Sequence, residues 1–309
     1  MTARPDRPRP RPRLGLIVLL LGAMAAIVAA CATGSDPHPS SGLTRVVATT
    51  TVFADIVRNI GGDRVSVTSI IPAGVGPEDY EPKPDDAKQL AGADLIVSNG
   101  VGLDDFLDKL LRASGEQQAT RLVLGDGIPT ITVDGEPNPH FWLDPSLVAG
   151  HYVPAIAAAL TRLDPDGAAT YAANAADYTT ELETLDAANK TALAAIPEAN
   201  RKLVTFHDAF PYFAAHYGFE LIGVILPNVG QEPSASQLAA LVSKVRSAGV
   251  TAVFAEAQFN PELAQTLAEE AGVSNVVTTL YNDTVGPPPD DTYLKMMAWN
   301  VDQIVRSLR

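Results

Sequence analysis

Cysteine, aromatic residues and positive charge are all scarce in this chain. Its 309 residues include one cysteine, Cys31, which excludes an intramolecular disulfide and a zinc site built from cysteines. Lys and Arg number 22 against 36 Asp and Glu, and the net charge of −14 argues against a nucleic-acid partner, because phosphate binding needs clustered positive side chains. The hydrophobic fraction of 46% is ample for a folded core, and the length predicts two domains.

A long uncharged apolar run occurs once, at the N-terminus. Five arginines precede Leu14–Ala30, an order that is typical of a secretory signal peptide. The small residues at 28–30 lead directly into Cys31, which resembles the processing box of bacterial lipoproteins. That resemblance implies cleavage before Cys31 and lipidation of its thiol. A membrane anchor that is not cleaved is the alternative, because 17 apolar residues are near the lower limit for spanning a bilayer.

The processed chain is more acidic than its precursor. Loss of residues 1–30 leaves 17 basic and 35 acidic residues, a net charge of −18. Residues 31–42 then form a polar segment rich in Pro, Gly and Ser, which predicts a flexible tether. We therefore expect a protein that is held outside the cytoplasmic membrane by the lipid on Cys31.

From residue 43 onward, predicted strands alternate with predicted helices. This order is typical of an α/β fold with mostly parallel sheets flanked by helices. The predicted strands are Arg45–Thr51, Val65–Ile71, Asp94–Ser98, Thr130–Val133, Lys202–Phe206, Glu220–Ile225, Thr251–Ala255 and Asn275–Leu280. The predicted helices are Phe53–Ile60, two that begin near Asp85 and Leu103, and four at about 209–216, 235–248, 261–271 and 291–308.

One helix between the two halves is predicted to be unusually long. The segment Asp166–Ile196 is Ala-rich, contains no proline, and spaces its large apolar residues three or four apart. A continuous helix there would be about 45 Å long. Two shorter helices broken near Asn174 or Asn189 are the alternative. We therefore expect an N-terminal lobe at 43–164, a linking helix at 165–197 and a C-terminal lobe at 198–309.

Polar side chains follow four of the predicted strands, at the sheet ends where open α/β folds bind ligands. They are Glu78, His140, His207 and Asp283. Two imidazoles and two carboxylates of this kind could converge on one divalent cation. Their separations of 62, 67 and 76 residues are not a metal motif, and each residue taken singly is more typical of an ordinary polar loop.

Several strings of the sequence together resemble one family. They are Tyr80-Glu81-Pro82 followed by Pro84-Asp85-Asp86, then Pro139-His140-Phe141-Trp142-Leu143-Asp144-Pro145, His207-Asp208-Ala209-Phe210 with Tyr212-Phe213, and Ala255-Glu256-Ala257-Gln258-Phe259. Through them, residues 43–309 resemble the metal-binding lipoproteins of bacterial zinc and manganese ABC importers, the cluster A-I solute-binding proteins. The resemblance implies two α/β lobes joined by a rigid helix, one metal ion between the lobes, and no catalysis.

Carried over by position, the resemblance implies that His140, His207 and Asp283 are metal ligands. The departure is Glu78, because the family most often has His before x-Tyr-Glu-Pro. The ligand that comes first in the chain is therefore Glu78, the adjacent Asp79, or a water molecule in place of both. The same family strings make Tyr80, Glu81 and Glu256 candidates for supporting the ligands.

The predicted donor set bears on the choice of metal. Two imidazoles with two carboxylates would accept Mn²⁺ or Fe²⁺ more readily than a histidine-rich set does. The loop Gly125–Asn138 also lacks the histidines that accompany many zinc-specific members. Zinc remains the expected ion, because Zn²⁺ binds more tightly than Mn²⁺ at most sites.

The expected function is capture of a divalent metal and its delivery to an ABC permease driven by a cytoplasmic ATPase, by a chain acting as a monomer. One alternative is a binding protein of the same architecture for a siderophore or haem-type ligand, which would need a broader aromatic or Arg-lined pocket. Another is a secreted metallohydrolase, although the sequence has no His-Glu-x-x-His motif and no nucleophile elbow. An adhesion role is also left open.

Overall fold

The computed structural model describes residues 42–78, 80–115, 118–227 and 232–309. The predicted signal peptide, most of the tether, Cys31 and Asp79 lie outside the described residues. Gly42–Arg309 forms one compact unit, and the predicted boundaries between lobes stay a prediction. Within the described ranges, no helix combines the length and the apolar character that crossing a membrane requires.

The N-terminal half is built on a four-stranded parallel sheet. Its strands are β1 (Thr44–Ala48), β2 (Val65–Ser69), β3 (Leu95–Ser98) and β4 (Thr120–Val123), in the order β2-β1-β3-β4. The helices between them are α1 (Thr51–Gly61), α2 (Pro84–Leu90) and α3 (Phe106–Ser114). Parallel strands need such crossovers, so the predicted α/β class is confirmed here.

A small hairpin and a helical stretch follow this sheet. Strands β5 (Thr132–Val133) and β6 (Glu136–Pro137) pair antiparallel and do not join the parallel sheet. The strand predicted at Thr130–Val133 is thus present only at Thr132–Val133 and belongs to this hairpin. Helices α4 (Pro145–Leu147) and α5 (Val153–Leu163) come next and are joined by a π-helical turn at Val148–Tyr152.

The long helix is continuous. Helix α6 spans Ala168–Leu193, 26 residues or about 39 Å, and a 3₁₀ turn at Pro165–Gly167 precedes it. The two asparagines considered as breaks instead bond neighbouring elements: the Asn174 amide donates to Ile60 O at 3.0 Å, and that of Asn189 to Tyr217 Oη at 3.3 Å. Their side chains are used outside the helix, so its backbone hydrogen bonds are not interrupted.

The C-terminal half contains two pairs of parallel strands. These are β7 (Lys202–His207) with β8 (Glu220–Leu226), and β9 (Ala252–Glu256) with β10 (Asn275–Leu280), with β7 lying beside β9. The helices are α7 (Pro211–Tyr217), α8 (Ala235–Ala248), α9 (Glu262–Ala271) and α10 (Tyr293–Leu308).

One hydrophobic cluster runs through both halves and the long helix. It includes Phe53 of α1, Trp142, Tyr171 of α6, Phe213 of α7 and Tyr293 of α10, all essentially inaccessible to solvent. Burying this much apolar surface across both halves favours a rigid arrangement of the parallel strands of both halves about α6. The ends of their strands are thereby held in a fixed relation.

Candidate metal centre

The structure brings together the four residues that the strand ends predicted. One ligand atom from each of Glu78, His140, His207 and Asp283 lies within 4.8 Å of the others. They come from the loop after β2, the loop after the β5–β6 hairpin, the last position of β7, and the loop after β10. Residues that are 62 to 76 positions apart in the sequence are thus neighbours in the fold.

The distances within this group match the size of a coordination sphere. The Nε2 atoms of the two histidines are 3.4 Å apart. Nε2 of His140 lies 3.5 Å from Oδ1 of Asp283 and 3.7 Å from Oε1 of Glu78. Nε2 of His207 lies 3.7 Å from Oδ2 of Asp283 and 3.9 Å from Oε1 of Glu78. A tetrahedral ion with ligands at about 2.0–2.2 Å has ligand–ligand separations of about 3.3–3.6 Å, so small movements would complete such a sphere.

His140 is oriented by a residue two positions earlier. Oδ1 of Asn138 accepts hydrogen bonds from the backbone N–H of His140 at 3.0 Å and from its Nδ1 at 3.1 Å. The shared acceptor places the proton on Nδ1 and leaves Nε2 facing the other ligands. The His140 ring also packs against Trp142, with centroids 5.1 Å apart.

His207 is oriented by a carboxylate on the neighbouring strand. Its Nδ1 lies 3.3 Å from Oε1 of Glu256, the last residue of β9, whose side chain is completely buried. The Phe259 ring packs edge-on against the imidazole at 5.3 Å. This pairing again directs Nε2 toward the centre, so both imidazoles offer the same nitrogen.

The loop that carries Asp283 is bonded to the opposite half of the protein through the next residue, Thr284. Oγ1 of Thr284 accepts from the backbone N–H of Gly74, on the Glu78 loop, at 3.0 Å, and lies 3.1 Å from Oγ1 of Thr51 at the start of α1. These bonds explain how loops from the two halves meet. Asp283 itself is inaccessible, and its Oδ1 has no hydrogen-bond partner among the described residues.

Glu78 is the most accessible member, with its side chain 24% exposed. Burial raises its pKa, but the neighbouring imidazoles of His140 and His207 lower it to about 2. Burial and the charge of Glu78 raise the pKa of Asp283. The group therefore concentrates negative charge that a divalent cation would neutralise.

Burial lowers the pKa of each histidine, but the carboxylates outweigh it. Asp283 and Glu78 raise the pKa of His140, while Glu256, with Asp283 and Glu78, raises that of His207 to about 10. Protonating Nε2 of both rings would point two N–H groups at each other across 3.4 Å. The two histidines therefore share one proton and titrate as a pair.

The three predicted supporting residues differ in position. Glu256 contacts His207 directly. Tyr80 is buried beside the site, and its hydroxyl donates to Oδ2 of Asp86 at 2.6 Å, which fixes the loop that carries Glu78. Glu81 is exposed to solvent.

Three supporting amides were not identified from the sequence. They are Asn138, Gln258 and Asn282, and each contacts a candidate ligand. The first directly precedes the string that begins at Pro139, and the second lies inside the string Ala255–Phe259, so their nearness to the family motifs was the available signal. No sequence signal pointed to Asn282.

Three of the candidate ligands, Glu78, His140 and His207, line a cleft of about 770 Å³. Four carboxylate residues, Asp105, Asp134, Glu136 and Asp208, line its walls. Such a cleft attracts cations over a distance of about 8–10 Å at physiological salt. The arrangement suits admission of a small cation to a buried ligand set.

Parallel strands in both halves around one long helix, with a buried cluster of imidazoles and carboxylates at the strand ends, define a solute-binding protein for metal ions. The sequence profile of the family described as zinc-uptake complex component A, periplasmic, matches residues 46–307. The chain belongs to this family, whose members are solute-binding components of ABC transporters and not enzymes. The metallohydrolase alternative is therefore wrong.

Individual relatives agree with this assignment. The chain is 33% identical over 295 residues to the manganese-binding lipoprotein MntA of Halalkalibacterium halodurans, covering 94% of this chain and 97% of the relative. It is similar to the periplasmic zinc-binding protein TroA from Treponema pallidum, with a TM-score of 0.80 and 28% identity over 86% of this chain and 99% of that one. A Mn-bound mutant of a periplasmic metal-binding protein from Candidatus Liberibacter asiaticus gives a TM-score of 0.78 and 28% identity, covering 86% of this chain and all of that one.

Proposed function

We propose that this chain captures one divalent transition-metal ion with Glu78, His140, His207 and Asp283 and delivers it to the permease of an ABC importer, driven by a cytoplasmic ATPase. The observation that carries the proposal is the set of ligand–ligand distances of 3.4–3.9 Å. Four protein ligands suit capture, because catalytic zinc keeps one position open for water. They also leave little room for a chelator on the ion, which disfavours a siderophore or haem-type ligand.

Zinc is the proposed ion, with manganese as its main competitor and iron as a further one. Zn²⁺ exceeds Mn²⁺ in the usual order of affinities, and two imidazoles suit it. The two carboxylates reduce the preference for Zn²⁺ over Mn²⁺. Both oxygens of Asp283 face a histidine, so this residue could bind a larger ion through two oxygens. Two of the relatives described above are likewise named for manganese and for zinc.

The proposal includes anchoring. A thioether-linked lipid on Cys31 and the tether of residues 31–42 would hold the receptor at the outer face of the cytoplasmic membrane while it acts as a monomer. The support is the signal-peptide pattern ahead of Cys31 and the lipoprotein names of the relatives.

The test is metal analysis and titration of protein purified without chelator. Wild type should carry one tightly bound ion, and His140→Ala and His207→Ala should each weaken zinc binding at least about tenfold. His151→Ala is the matched control, because His151 is exposed and lies outside the cluster. Affinities within a factor of two of wild type in both ligand variants would overturn the assignment.

A further inference from the structure

A buried glycine, Gly76, lies beside the carboxylates of two proposed ligands. A Cβ atom built on Gly76 would be 3.3 Å from Oε2 of Glu78 and 3.8 Å from Oδ2 of Asp283. The first distance is tighter than the contacts that Cβ atoms usually make, and the second is an ordinary van der Waals contact. The missing side chain of Gly76 therefore leaves a space, and Oε2 of Glu78 occupies it.

The backbone at this position does not require glycine. Gly74, two residues earlier, has a φ of 81°, a left-handed conformation that favours glycine, whereas the φ of Gly76 lies outside the left-handed region. The following residue, Pro77, favours an extended backbone at position 76, which residues with a Cβ adopt readily. What glycine provides at this position is space for a neighbouring side chain.

The loop that carries Gly76 is held on both sides. The backbone N–H of Gly74 donates to Oγ1 of Thr284 at 3.0 Å, and the hydroxyl of Tyr80 donates to Oδ2 of Asp86 at 2.6 Å. Because both bonds join the loop to other elements, its backbone cannot withdraw to make room for a side chain at position 76. One of the two neighbouring carboxylates would have to move instead.

The carboxylate that can move is that of Glu78. The side chain of Asp283 is completely buried, and its Oδ2 accepts from Nε2 of Gln258 at 3.0 Å. The side chain of Glu78 is 24% exposed and lines the cleft of about 770 Å³. A larger residue at position 76 would therefore displace the Glu78 carboxylate into the cleft, away from the two histidines that its Oε1 faces at 3.7 and 3.9 Å.

We propose that Gly76 is a specificity-determining residue, whose missing side chain admits the carboxylate of Glu78 to the ligand set. This inference rests on the proposed metal capture by Glu78 together with the histidines and Asp283. Carboxylates suit Mn²⁺, whereas imidazoles suit Zn²⁺, so the loss of Glu78 from the set should weaken manganese binding more than zinc binding. Gly76 thus keeps the site rich in oxygen ligands and able to accept manganese.

The test measures zinc and manganese affinities of wild type, Gly76→Ala and Gly76→Val by competition titration. Valine fills the space of the carboxylate, and it should weaken zinc binding about tenfold and manganese binding about 100-fold. Gly76→Ala requires a smaller displacement of Glu78, and its losses should be about threefold for zinc and about tenfold for manganese. Gly150→Ala is the matched control, because a Cβ on this exposed glycine meets nothing within 4 Å.

A double-mutant cycle separates this role from a structural one. In the Glu78→Ala background the space beside Gly76 is empty, so adding Gly76→Ala should change neither affinity. A general disturbance of the loop would instead add its own loss in that background and would weaken the binding of both metals equally. Gly76→Ala should fold like wild type, because the contact is with the free end of a flexible side chain, so it decides the question should the valine variant fail to fold.

The failures of the two proposals are distinguishable. Affinities of folded Gly76 variants within a factor of two of wild type, equal losses for both metals, or a loss that persists in the Glu78→Ala background would overturn the role of Gly76 alone, as long as His207→Ala still loses affinity. Equal zinc affinity of wild type and His207→Ala would instead refute the proposed function.

Discussion

Metal binding should depend on pH well above the range of an ordinary histidine. The proton shared by His140 and His207 must leave when an ion takes both Nε2 atoms, so one proton should be released per ion. The carboxylates hold the pKa of the pair above its usual value, at about 10 for His207. Protonation competes with the metal below that pKa, and apparent affinity should rise with pH throughout the neutral range.

The size of the pH effect on zinc affinity follows from the release of one proton per bound ion. Each pH unit below the pKa of the pair costs a factor of about ten in apparent affinity, or about 1.4 kcal/mol. Lowering the pH from 8.5 to 6.5 should therefore weaken zinc binding about 100-fold. Unperturbed histidines with a pKa of about 6.5 would instead give a nearly constant affinity above pH 7 and a loss only below about pH 6.

The assay is a competition titration against a chelator of known pH dependence at pH 6.5, 7.5 and 8.5. Calorimetry in two buffers of different ionisation enthalpy then counts the protons released. Glu256→Gln should flatten the pH dependence, since it removes the charge that most raises the pKa of His207. Glu81→Gln is the control, because Glu81 is exposed. Constant affinity from pH 7.5 to 8.5, with no proton released, would refute the shared-proton argument.

Three further outcomes are expected. Glu78→His should still bind zinc but discriminate more strongly against Mn²⁺, because nitrogen ligands favour the later metals, whereas Glu78→Ala should weaken zinc binding; a zinc–manganese competition titration would show both. Cys31→Ser should release the protein from membranes or block processing, and unchanged size and membrane retention on a blot would contradict the anchor. His216→Gln should reduce the free energy of unfolding at pH 5.5 by about 1–3 kcal/mol, because the ring bridges Asp144 at 3.1 Å and Asp186 at 2.7 Å. The melting temperature at that pH should fall accordingly.

The sign of the His216 effect is testable by its pH dependence. The hydrogen bond with Asp144 raises the pKa of His216, burial lowers it, and the bond with Asp186 raises it further, so the net shift is upward. The stabilisation is complete below the unfolded pKa of about 6.5 and fades as pH rises through the folded pKa. The gap in melting temperature should therefore shrink at alkaline pH. His151→Gln, at an exposed position, should leave the melting temperature unchanged.

Sequence alone determined the elements whose signal is local. The periodicity of the linking segment predicted a continuous helix, and Ala168–Leu193 confirms it with ends two or three residues inside the prediction. Runs of β-branched residues likewise located most of the parallel strands. β4 was missed because Thr120–Val123 is a short, half-exposed edge strand with Arg121 in its middle, so it has no continuous apolar run.

Only the tertiary structure decided how the candidate site is assembled. A residue type and a strand end can nominate Glu78 or Asp283, but their meeting depends on the Thr284 hydroxyl, which bonds the backbone of the opposite loop. The same holds for Asn282, whose Oδ1 accepts a hydrogen bond from Nε2 of Gln258 on another loop at 2.7 Å. Local periodicity carries no information about such pairings, since they are hydrogen bonds between residues far apart in sequence and their geometry exists only once both halves have packed around the long helix.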